Sequence, residues 1–310
     1  MRAVVFGICL ALCALCHVAG AEESSGAASI ELTLSIDDSV YLASQPIIVS
    51  VCVRNGSRDV FDDLVPLDPA DGFLRLRLID SDTGVILQKY GTIRDVLFSN
   101  DGITIPPGEV QCEVFDLLYH FGRWPTKDQM LLKSLAMYAL PPGRYELSGS
   151  ISARTGHNKA LFPVILRSNS VRFQVKSAGS NASQEALLTS LTSRDQWRIN
   201  KLSPANVRSA RDHLREFVSS PYFLLAYRAA RPSLTSSDVD SLNLLLERRK
   251  NAPALWRAVL VWDDFERVAR SDSERLNRLD GIEQRTRGGP VEDVTHSLKM
   301  RVQQQKYYSP

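Results

Sequence analysis

Beyond the first 21 residues the chain carries two cysteines, Cys52 and Cys112, each inside an alternating segment, "PIIVSVCVRN" and "EVQCEVF". Two thiols can form a disulfide, bind a metal, or supply a nucleophile. A period of two puts Val49, Val51 and Val53 on one face of the first segment and Cys52 on the other, while Cys112 shares a face with Val110 and Val114. If one face of each strand is apolar and buried, the two thiols point to opposite sides. Two separate structural thiols are then narrowly favoured over a disulfide. A Cys112–His120 nucleophile–base pair is disfavoured, because a thiol on the apolar side of a strand is buried and inert.

The remaining chemistry is sparse. His120, His157, His213 and His296 are scattered, without H-E-x-x-H or any other zinc spacing. "IDSDTGVI" (79–86) offers Asp80, Asp82 and Thr83, but it lacks the third oxygen ligand, the glycine at position six and the distant glutamate of a calcium loop, so it reads as a hairpin turn. There is no G-x-S-x-G elbow, no Walker loop and no G-x-G-x-x-G. No cofactor, no metal and no enzymatic activity are expected. One stretch has binding character: Tyr119, His120, Phe121, Arg123 and Trp124 in "YHFGRWP" combine flat apolar area with a cation, as interface hot spots do. The competing and favoured reading makes Phe121 and Trp124 a plug for one end of the fold, or a dock for helices.

The elements that must position these residues fall into two halves. From residue 28 to 177 the segments "SIELTLSI", "PIIVSVCVR", "FLRLRLID", "VILQKY", "EVQCEVFDL", "RYELSGSISA" and "SVRFQVK" alternate or nearly so, separated by turns such as Asn55-Gly56 and Pro141-Pro142-Gly143. About seven short strands with turn signals between them predict an antiparallel β-sandwich. "ITIPPGEVQCEVFDLL" and "YALPPGRYELSGSI" resemble the closing strands of immunoglobulin-like modules of exported bacterial proteins, carried by Gly108, Asp116, Leu117, Tyr138, Leu140, Gly143, Tyr145 and Leu147. The resemblance covers about half the chain, implies the fold, and says almost nothing about activity. The inserted "YHFGRWPTKDQMLLKSLAM" departs from it.

Residues 183–280 change to a helical period, with Ser203-Pro204 and Ser220-Pro221 as helix starts and apolar stripes after Thr235 and Pro253. Their order weakly resembles tetratricopeptide-type helix pairs. An all-α bundle or short helical array is expected there, followed by a polar tail over 281–310 that is disordered apart from a frayed helix around 291–305.

Residues 1–21 read as a cleaved signal peptide. One arginine precedes fourteen apolar residues, a helix of about 21 Å against the roughly 30 Å of a bilayer core, and Ala19-Gly20-Ala21 places small residues at the cleavage positions. Leucine before Cys13 and Cys16 argues against a lipoprotein anchor. The protein is expected to be secreted or periplasmic, with no integral membrane segment after cleavage.

Charge is divided unevenly: residues 22–179 hold 15 Lys+Arg against 19 Asp+Glu, and residues 180–310 hold 21 against 16. The imbalance is too mild and too interspersed to predict nucleic-acid binding. The function read from sequence is an exported, non-enzymatic binding or scaffolding protein with a protein or peptide partner and no assigned oligomeric state. The alternatives are an inhibitor-like sandwich that inserts its end loops into a protease cleft, and a hydrolase with its site at the domain junction.

Overall fold

The computed structural model describes residues 30–43, 45–64, 67, 69, 73–89, 103–121, 140–153, 164–177, 214, 215, 217–231, 234–249, 252–267, 271–286 and 288–308. The leader, Arg123, Trp124 and residues 204–213 of the first expected helix lie outside the described residues. The strands are β1 (Ile30–Ile36), β2 (Val40–Leu42), β3 (Ile48–Asn55), β4 (Phe61–Leu64), β5 (Leu74–Asp80), β6 (Ile103–Ile105), β7 (Val110–Asp116), β8 (Gly143–Ala153), β9 (Val164–Arg167) and β10 (Val171–Lys176). The helices are α1 (Leu118–Phe121), α2 (Phe223–Ala230), α3 (Ser236–Glu247), α4 (Ala254–Arg267), α5 (Asp272–Glu283) and α6 (Pro290–Tyr308).

The expected immunoglobulin-like antiparallel sandwich with a separate helical bundle or array is not what the chain forms. One sheet is antiparallel, in the order β1-β3-β7. The larger one, β2-β10-β8-β5 with β9 also on β8, is mixed, because β2 runs parallel to β10. A parallel bridge from Leu32 to Ser168 ties β1 to the segment after β9, so the sheets curl together into a half-barrel instead of lying as two open layers. Hydrophobic alternation fixes which face a residue takes, but not which strand becomes its neighbour or in which direction. Hence the mixed pairing was invisible to it.

Between the sheets, Val49, Val51 and Val53 of β3 and Leu32 and Leu34 of β1 meet Tyr145, Leu147 and Ile151 of β8 and Phe173 of β10. The Tyr145 and Phe173 rings stack at 5.5 Å between centroids, and the buried Tyr145 hydroxyl donates to the Pro141 carbonyl at 2.6 Å. The opposite face of β3 and β7 is buried as well. There Ile48, Val110 and Cys112 share a core with Phe223, Leu224, Tyr227, Trp256, Leu260 and Leu298 from the helices. Sheet and helices therefore form one packed body.

The double burial resolves the cysteines. Cys52 and Cys112 are register partners on β3 and β7, 4.1 Å apart at Cα, and bonded to each other. Each strand's face assignment was sound; the assumption that only one face is buried was not. Both thiols point toward the helices.

At the end of the chain, where a frayed helix around 291–305 is expected within a polar tail, the structure has α6. α6 runs for nineteen residues, and its Val291, Val294, Leu298 and Val302 are buried at helical spacing. Thr295 and Ser297 interrupt the stripe in sequence yet are buried too, because their hydroxyls donate back to the Val291 and Asp293 carbonyls at 2.6 and 2.7 Å. Gly288 and Gly289, at φ of 79° and 92°, turn the chain into Pro290, the first helical residue. Along the outer edge of β7, α6 takes up free edge groups: the Cys112 amide donates to Ser297 Oγ at 2.7 Å, and Gln304 Nε2 donates to the Thr104 carbonyl of β6 at 2.5 Å.

Candidate functional site

The expected binding segment follows directly from β7. Asp116 ends that strand, and its Oδ1 accepts from the Leu118 amide at 3.1 Å, which starts α1, and from the Ile47 amide at 3.3 Å. Its other oxygen accepts from Arg228 Nη1 of α2 at 2.5 Å. The Arg228 guanidinium carbon lies 4.8 Å from the centre of the Tyr119 ring. Burial opposes the charge on Arg228, but Tyr119 and Asp116 outweigh it and hold its pKa above the ordinary arginine value. One turn further, Arg231 pairs with Asp263 of α4 at 2.6 Å, and the Tyr227 hydroxyl donates to the same carboxylate at 2.9 Å.

This places the predicted residues as follows. Tyr119 is half-buried under Arg228, His120 is 6% exposed and packs edge-on to Phe115, and Phe121 is 1% exposed within the core between the sheets. Arg123 and Trp124 lie outside the described residues. The segment joins the end of the sheet to the helices through a buried ion pair. Asp116 and Asp263 each already accept from a guanidinium, so this junction reads as a lock between layers.

A second lock holds α6. Arg301 pairs with Glu113 of β7 and stacks over Trp262 at 4.7 Å, while His296 lies between Glu109 and Glu283. Among the described residues no group of three or more His, Cys, Asp and Glu side chains is placed to hold a metal, and no helix is long and apolar enough to cross a membrane.

The open surface lies elsewhere, on the outer face of the mixed sheet. Registered partners share a face, so the polar positions of β5, β8, β9 and β10 point away from the core together. Around Val40, Ser81, Arg144, Glu146, Arg172 and Gln174 this face forms a shallow groove of about 450 Å³. Arg144 pairs with Asp82 at 2.5 Å and Arg172 with Glu146 at 2.9 Å, yet the two arginine side chains remain 69% and 80% exposed. Hydrogen bonds from these guanidinium groups hold the Asp82 and Glu146 carboxyls below the usual carboxylate range. The sequence reading passed over this face. Its signal was present in "FLRLRLID" and "VRFQVK", where the polar half of the alternation holds Arg75, Arg77, Arg172 and Lys176.

No family model matches the chain, and no curated protein matches it. Among solved structures it is similar to a β-glucosidase of Erythrobacter marinus, at 16% identity and a TM-score of 0.25, over 48% of this chain. The match spans only 15% of that enzyme's length. A likeness at that score carries neither a fold nor an activity to this chain.

Proposed function

We propose that this protein is an exported, non-enzymatic binding protein that presents the outer face of its mixed sheet to a ligand. One observation carries the reading. The inner face of that sheet is filled by the core and the outer face of β3 and β7 is covered by helices, whereas the outer face of β5, β8, β9 and β10 is open and holds the shallow groove. Concave, open surface on a rigid sheet is where a ligand meets the least rearrangement. Export is supported by the Cys52–Cys112 bond, since such bonds persist in oxidising compartments.

An inhibitor-like use of the 119–125 insertion has less support, because Phe121 is inside. A junction hydrolase has less as well, because Asp116 and Asp263 are engaged by Arg228 and Arg231. The test is incubation of the purified protein with panels of peptide, ester and glycoside substrates. The expected result is no turnover; turnover abolished by alanine at a single polar residue would overturn the reading.

A further inference from the structure

The outer face is more basic at one end than the groove alone reveals. Arg75 of β5, Ser150 of β8 and Arg167 of β9 are consecutive register partners and so form one row across three strands. Arg77, the next outward residue of β5, faces Ser148 of β8. Two strand spacings separate Arg75 from Arg167 by about 10 Å, and Arg75 and Arg77 are about 7 Å apart along their strand. All three arginines are exposed.

Their surroundings differ from those of Arg144 and Arg172 at the groove. Each of those two has a carboxylate bonded to it. Among the described residues none is bonded to Arg75, Arg77 or Arg167. The charge of Arg77 reaches Glu146 only at a distance, behind the hydrogen bond from Arg172. Three exposed guanidinium groups, none bonded to a carboxylate among the described residues, therefore stand around two serine hydroxyls, in a half of the chain whose overall balance is acidic.

We infer that Arg75, Arg77 and Arg167, with Ser148 and Ser150 between them, form the recognition site for an acidic polysaccharide. The inference rests on the outer-face reading proposed above. Guanidinium groups supply forked donors for carboxylate or sulfate groups on the sugar units, and the serine hydroxyls donate to or accept from neighbouring sugar hydroxyls. A nucleic acid fits less well: the outward positions described on β5, β8, β9 and β10 carry no aromatic side chain on which a base would stack. A lipid surface fits less well too, since beside the row β5, β8 and β9 expose one large apolar side chain among the described residues, Ile165.

The experiment titrates the full exported protein with dextran sulfate and polygalacturonate at low and at physiological salt. Neutral dextran, a mixed-sequence oligonucleotide and anionic vesicles are run beside them, and reducing ends are measured in every mixture. Variants are R75S/R77S/R167S and, as a control on the same face, R144S/R172S. The expected result is salt-sensitive binding to the acidic polysaccharides alone, weakened about tenfold by the triple substitution and less by the double one. Absence of polysaccharide binding, equal weakening by both variants, or tighter binding to the oligonucleotide or vesicles would overturn the inference. Release of reducing ends would instead overturn the non-enzymatic reading while leaving the recognition site standing. Circular dichroism of the triple variant separates lost binding from lost folding.

Discussion

Cys52 and Cys112 stand directly opposite one another on β3 and β7, bonded on the side of the sheet that the helices cover. Their sequence separation is 60 residues. By the chain-entropy account, closing a loop of that size removes about 4 kcal/mol of unfolded-state freedom. The Cys52→Ala/Cys112→Ala variant is expected to lose about 2–4 kcal/mol in urea unfolding, and the wild-type protein to lose a similar amount when reduced. Unchanged midpoints in both comparisons would show that the bond does not constrain the chain.

The disulfide also marks how far the sequence reading reached. Strands from Ile30, Ile48, Leu74, Val110, Gly143 and Val171 are visible as alternation, and each lies where that pattern predicts. What alternation does not contain is the identity of the layer above each face. Cys52 and Cys112 looked opposed because the helical cover of β3 and β7 is built from residues more than a hundred positions away. β2 is three residues long and pairs in parallel, which left too short a pattern to read. A helix around 291–305 was legible but its packing was not, because Thr295 and Ser297 satisfy their own hydroxyls inside the helix and so pass as buried residues. In "YHFGRWP" the residue types suggested contact with a partner or a plug; Tyr119 lies under Arg228 and Phe121 lies in the core between the sheets. Arg75 and Arg77 were legible in the alternation of β5, whereas Arg167 joins them only through the register of β9 on β8.

Arg228 and Asp116 form a buried pair, with Asp116 only 5% exposed. Arg228→Met leaves that carboxylate without its cation and is expected to cost about 3 kcal/mol by chemical unfolding. Adding Asp116→Asn should recover part of the loss. Two additive losses would mean that the side chains do not act as a pair.

Asp37 sits at the start of α4, where the Leu255 amide donates to it at 2.8 Å. Burial pushes its carboxyl up to about 7, against the lowering effect of that amide. The folded protein thus holds this proton more tightly than the unfolded chain, whose aspartate titrates near pH 4 (roughly 3.9). Stability from this group is full below about pH 4 and is lost as pH rises toward 7. Asp37→Asn keeps an acceptor for the amide without the charge, and should flatten this decline when unfolding is compared at about pH 4.5 and 7.5. An unchanged pH profile in the variant would assign the decline to other groups.

Removing residues 290–310 strips α6 from the edge of β7 and from the helix core. The bared strand edge is expected to pair between molecules, so the shortened chain should elute as aggregates in size-exclusion chromatography. A monomeric, fully folded product would show that the edge is protected by something other than α6.

The central claim is that the open face of the mixed sheet is the binding surface. Backbone amide shift mapping during titration with dextran sulfate tests it residue by residue. Perturbations are expected to cluster on β5, β8 and β9 around Arg75, Ser150 and Arg167, spreading toward Arg172. Perturbations clustered on Tyr119–Phe121 or on the helices, with the sheet face silent, would contradict it.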